Sequence, residues 1–124
     1  MNVEEVRAYC LLKKGAEESF PFDENTLVIK VMNKMFALIS LDDASKINLK
    51  CDPLRAIELR ECYEDILPGW HMNKKHWNTV VYNGSLPDSL VNELIDHSYS
   101  LVVDSLPKKS KLLLNGTKHS IGRF

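Results

Sequence analysis

Three apolar segments crowd between Thr26 and Lys50, and the links between them are too short to hold a crossover helix. Residues 26–32 and 35–40 are rich in Val, Ile, Leu and Phe. Asn33-Lys34 between them is turn chemistry, because Asn tolerates a left-handed backbone. Residues 46–50 alternate strictly, with Ile47 and Leu49 on one face and Lys46, Asn48 and Lys50 on the other, as in a half-buried strand. The spacing predicts a meander, and helical patterns on either side of it exclude a βαβ succession.

The flanking segments carry helix signals. Residues 2–14 open with an N-x-x-E capping box at Asn2 and Glu5 and present Val3, Val6, Tyr9 and Cys10 on one face. Gly15 supplies the stop, where the chain needs a positive φ. Asp52-Pro53 starts a second helix, with a carboxylate cap and a proline that sacrifices no hydrogen bond. Its pattern predicts Leu54, Ile57 and Cys62 inward and Arg55, Glu58 and Glu61 outward. Pro68-Gly69 breaks the chain, and residues 77–82 form a further strand closed by Asn83-Gly84.

Residues 85–106 read as a long helix, capped by Ser85 and Asp88 and striped with Leu90, Val91, Leu94, Ile95, Leu101, Val102 and Leu106. Pro107 ends or bends it, and Lys108, Lys109 and Lys111 follow. The expectation is one α+β domain over residues 1–115 and a C-terminal tail over residues 116–124. Its single, mainly antiparallel sheet holds residues 26–32, 35–40, 46–50 and 77–82, with helices packed on one face.

Composition narrows the class. Hydrophobic residues make up 44% of the chain, enough for a core without metal or disulfide staples. No apolar run reaches the roughly 18 residues that span a bilayer, and MNVEEVRAYC lacks the basic and apolar regions of a signal peptide. A cytoplasmic protein is expected. Cys10, Cys51 and Cys62 are odd in number and form no C-x-x-C pair, which predicts free thiols. The net charge is −1, but residues 1–66 carry 9 Lys/Arg against 13 Asp/Glu, and residues 67–124 carry 7 against 4 together with all four histidines. This asymmetry permits a basic patch on an otherwise acidic protein.

PGWHMNKKHWNTV at residues 68–80, NGSLPDS at 83–89 and SYSLVVDSLPKK at 98–109 resemble the MmcQ/YjbR family of small bacterial proteins. YCLLKKGAEESFPF at residues 9–22 and KMFALIS at 34–40 fit the same pattern. The resemblance extends to about Leu114, and its most specific part is the H-x-N-K-x-H-W spacing of His71, Asn73, Lys74, His76 and Trp77. It implies a CyaY-like fold similar to frataxin and a function as a double-wing DNA-binding module.

The candidate contacts are Asn73, Lys74, Lys75 and His76, helped by Lys108, Lys109 and Lys111. Two ammonium groups and an amide on a loop can position a phosphate backbone, and a solvated loop is the plainer alternative. Trp77, leading into a strand, is expected to pack, whereas Trp70 can pack or stack on a base. His71 and His76 fit no metal-binding helix face. Glu93 and His97 can share one, or form an exposed i, i+4 pair. The acidic pairs Glu4-Glu5, Glu17-Glu18, Asp23-Glu24 and Asp42-Asp43 fall at caps and turns. No glycine-rich phosphate loop, G-x-S-x-G or H-E-x-x-H is present. The expectation is a non-enzymatic protein without cofactor or metal, a monomer or weak dimer whose partner is DNA. The alternatives are a protein-interaction adaptor and frataxin-like metal binding.

Overall fold

Residues 26–50 do build a meander, and the sheet around it is wider than four strands. A computed structural model describes the backbone of residues 1–121 and the side chains of residues 1–116. Strands β1 (Ala16–Ser19), β2 (Thr26–Val31), β3 (Lys34–Ser40), β4 (Lys46–Lys50), β5 (Ile66–Pro68) and β6 (Trp77–Val81) join in the order β1-β2-β3-β4-β6-β5. Every pairing is antiparallel. The four expected strands form its centre, and β1 and β5 are its unforeseen edges. The β2–β3 turn sits one residue earlier than expected, at Met32-Asn33, where both φ angles are positive as a type I′ hairpin requires.

Helix α1 (Val3–Leu11) starts with the capping box that the spacing predicts: Glu5 N donates to Asn2 Oδ1 at 2.9 Å, and Asn2 N to Glu5 Oε1 at 3.0 Å. Gly15 has φ +74° as expected, and a Cβ there would also meet Leu114 Cδ1 at 2.6 Å. Asp52 caps helix α2 (Pro53–Cys62) by accepting from Arg55 N. The α2 face is corrected. Ala56 and Leu59 are buried, while Leu54, Ile57 and Cys62 lie outside. The cause is polar: Asn78 Nδ2 donates to the Ala56 carbonyl and Arg60 reaches Asn78 Oδ1, which turns the small Ala56 toward the sheet.

The long helix, α3, is shorter than expected, Asp88–Asp104, and Pro87 occupies the cap position with no side-chain cap bond. Ser85 instead donates from its backbone N and Oγ to Asp65 Oδ2, at 2.8 and 2.9 Å, tying the approach of α3 to the residue before β5. Past Pro107 the chain forms α4 (Lys108–Ile121), which crosses the boundary expected after residue 115. Residues 122–124 of the expected tail lie outside the described residues.

Val6 and Cys10 of α1, Ala56 and Leu59 of α2, Val91, Leu94, Ile95 and Val102 of α3, and Leu114 of α4 enter one core with Leu27, Ile29, Val31, Ala37, Ile39, Ile47, Leu49, Ile66 and Val80. The helices therefore cover one face of the sheet. On the other face Val28, Leu38 and Trp77 form a smaller cluster with Met35 and Met72. Cys10 and Cys51 are buried free thiols and Cys62 an exposed one. No helix among the described residues is long and apolar enough to cross a membrane.

Candidate nucleic-acid interface

The sheet face without helices is crossed by the segment between β5 and β6, residues 69–76. Strand pairing sets what lies beneath it. Ser19, Val28, Leu38, Asn48, Thr79 and Leu67 form one cross-strand row, and Lys50 pairs with Trp77 in the next. Gly69 N donates to Trp77 O at 2.9 Å, and a Cβ on Gly69 would stand 2.7 Å from Trp77 Cβ. The loop can lie this close to β6 only because residue 69 has no side chain. Trp70 N donates to Thr79 Oγ1 at 3.0 Å, Trp70 O accepts from Asn48 Nδ2 at 3.1 Å, and the Thr79 hydroxyl donates to Asn48 Oδ1. A polar pair in the sheet thus fixes the backbone on both sides of Trp70.

His71 then adopts φ +58°, a left-handed conformation that costs a residue with a Cβ about 1–2 kcal/mol. The reversal brings Met72 onto the apolar cluster and leaves Trp70 60% exposed. The His71 ring lies 5.3 Å from the Trp70 ring, tilted by 32°, and Lys46 Nζ stands 5.6 Å from the same ring. Lys46 also pairs with Asp43 at 3.0 Å.

The Asn73–His76 turn is tied down in the same way. Asn73 Oδ1 accepts from Lys75 N at 2.9 Å, and Asn73 O accepts from His76 N and Trp77 N. Cys51 N donates to His76 O at 2.8 Å, and Arg60 of α2 donates to Lys74 O at 3.0 Å. The Lys74 and Lys75 side chains stay exposed, with no ion-pair partner among the described residues. His76 is half-buried and Asn73 exposed. The expected loop residues therefore sit together, two with built-in structural roles and two as open cations.

Lys108, Lys109 and Lys111 lie on the first turn of α4. That helix is fastened beside β1, through Leu114 over Gly15 and through Lys14 Nζ donating to Asn115 Oδ1 at 3.2 Å. The 69–76 loop is fastened to β6, four strand spacings away or about 19 Å. The two lysine groups thus hang from opposite parts of the sheet. Trp77, 8% exposed, packs as its place before a strand implies. The residues that hold Trp70, namely Lys46, Asn48 and Thr79, escaped sequence reasoning. Alternation placed the first two on an outward face, but only strand register shows that Asn48 meets Thr79.

Several other ionisable groups are engaged elsewhere. Glu93 pairs with Arg55, and His97 Nε2 accepts from Asp52 N at 3.2 Å. Glu18 pairs with Arg7, whose guanidinium holds the carboxyl below its usual range. Asp23 accepts from Asn25 N and Thr26 N. Asp96 accepts from Tyr9 and Lys13, joining α1 to α3. Burial pushes the Cys10 thiol up to about 12 and the Cys51 thiol to about 11, which makes both poor nucleophiles. Among the described residues no three His, Cys, Asp or Glu side chains converge on a metal site. A cavity of about 10 Å³ between Leu49, Cys51, Leu59, Asn78, Val80 and Leu94 has room for one water.

One antiparallel sheet, helices on one face and a tethered basic-aromatic loop on the other define a small α+β protein. The YjbR family model matches residues 11–101, and the chain belongs to the YjbR family. It is 39% identical over 115 residues to the Escherichia coli K12 protein YjbR, covering 92% of this chain and 98% of that one. The crystal structure of Deinococcus radiodurans protein DR2400 superposes with a TM-score of 0.84 at 40% identity, covering 91% of this chain and 87% of that one. A crystal structure of a Pseudomonas syringae protein gives a TM-score of 0.69 at 28% identity, covering 82% and 98%.

Proposed function

We propose that this protein binds nucleic acid through the 69–76 loop, by contacts led by the phosphate backbone. The observation that carries the reading is the pair of exposed, unpaired ammonium groups of Lys74 and Lys75 on a turn whose backbone is already fixed. A preorganised turn loses little entropy on binding, and cations that have no competing carboxylate are free for phosphate. The family resemblance supports the same reading, through its CyaY-like, frataxin-like fold and double-wing DNA-binding description. Lys108, Lys109 and Lys111 would extend the contact from a second patch. The role is binding, not catalysis.

The test is a mobility shift with labelled DNA at several salt concentrations. Replacing Lys74 and Lys75 together with Ala keeps both backbone bonds, so stability should stay within about 0.5 kcal/mol. Affinity should fall to a similar degree across sequences, and the salt slope should drop by roughly one per lost phosphate contact. A parent that does not bind at low salt, or a double variant that binds as the parent does, rejects the reading. The second reading, a protein-interaction adaptor, would then stand. It rests on Leu54, 73% exposed, and Ile57 beside it on the outer face of α2.

A further inference from the structure

We infer that Trp70 is a stacking platform for one unpaired base, which makes the ligand class single-stranded nucleic acid. The inference rests on the nucleic-acid reading and narrows it. A tryptophan on a solvated loop ordinarily tucks its ring against apolar surface, and such a surface lies close by in Val28, Leu38 and Trp77. Here the neighbouring Met72 takes that place and Trp70 stays out. The exposure is built in. Asn48 and Thr79 grip the backbone N–H and C=O of Trp70, and the left-handed His71 carries the chain back so that Met72 points to the sheet. The backbone that carries the ring is therefore fixed in position before any ligand arrives.

The surroundings select an anion. Lys46, already paired with Asp43, stands over the ring, and the unpaired Lys74 and Lys75 follow in the same loop as the cations free for phosphate. A flat aromatic face amid ammonium groups fits a base next to its phosphate, since every base offers a π-face whatever its identity. A duplex hides those faces in its own stack, so the platform distinguishes single strands from duplexes by geometry and not by sequence.

The test uses the full chain with an oligothymidylate and a blunt duplex of the same length. The parent should bind the single strand more tightly, with quenching of its tryptophan emission. Trp70→Phe leaves Trp77 as the only tryptophan, and it should keep part of the affinity with no quenching. Trp70→Ala should weaken single-strand binding about 5- to 150-fold with the salt slope unchanged. Circular dichroism melts of both variants should match the parent. Equal single-strand affinity in parent and Trp70→Ala overturns the stacking platform, and the nucleic-acid reading survives if the Lys74 and Lys75 double variant still loses binding. Binding of oligothymidylate without quenching overturns the platform alone; absence of any binding to DNA at low salt overturns both readings, and quenching by anionic lipid vesicles in that case marks a membrane surface.

Discussion

His97 shows how much of a residue's role is set by neighbours distant in sequence. It lies four positions after Glu93, and an i, i+4 pair is the natural reading of that spacing. In the fold Glu93 is taken by Arg55, and His97 Nε2 accepts the N–H of Asp52, the residue that caps α2. Only a neutral imidazole can accept there. Burial, and then the Arg55 guanidinium, hold its pKa below the ordinary value of 6.5. The unfolded chain therefore takes up this proton at a higher pH than the folded one. The stability from His97 is complete above the unfolded pKa, and it is lost as pH falls from there through the lowered folded value. Urea unfolding at about pH 7.5 and about pH 5.5 compares stability above and below the unfolded pKa. The parent should lose more stability between them than His97→Gln, which retains an acceptor and cannot titrate. Parallel losses in the two proteins would sink this assignment.

At the scale of elements, what was legible depended on whether an element carries its own pattern. Strands β2, β3, β4 and β6 and helices α1 and α3 alternate or repeat over enough residues to be read directly. β1, with the sequence AEES, has no apolar residue larger than alanine, and its pairing is imposed by β2. β5 is three residues long and ends in Pro68, so it exists only as an edge laid on β6. The α2 face was misjudged because the Arg60–Asn78 contact outweighs the apolar count. The 69–76 loop was legible as residue types but not as a tether, since its grip comes from Asn48 and Thr79. Gly69→Ala tests that tether. The new Cβ would meet Trp77 Cβ at 2.7 Å and Trp77 O at 2.9 Å, and both atoms belong to a fixed strand. Lifting the loop should cost about 1–3 kcal/mol, the usual range for overpacking, seen as a lower urea midpoint. It should also increase the accessibility of Met72 to peroxide. A variant with the parent's midpoint would mean that the loop is not seated by this contact.

For the molecule as a whole, the question is what makes helices and sheet one cooperative body, and the answer centres on α3. A β-bulge interrupts the β2–β3 register between Ile29 and Lys30, whose partners are Ala37 and Met35, so Phe36 is passed over. Phe36 and Ala37 both enter the helix-side core, and Phe36 meets Tyr99 of α3 edge-on at 5.3 Å. The bulge sets Phe36 O apart from the ladder, and Lys50 N lies at the end of β4. Ser98, fully buried on α3, serves both: its hydroxyl donates to Phe36 O and accepts from Lys50 N at 2.9 Å. No sequence pattern announces this, because a serine on the apolar stripe of a helix reads as a small filler. Ser98→Ala keeps the volume nearly unchanged and removes the hydroxyl, leaving a half-buried N–H and a buried carbonyl without it. The expected cost is about 1–3 kcal/mol, the desolvation penalty of orphaned groups rather than the modest net worth of a hydrogen bond. Because α3 spans the core, the loss should appear as a lower urea midpoint for the whole domain with an unchanged m-value. A changed m-value would show instead that α3 can leave the sheet on its own.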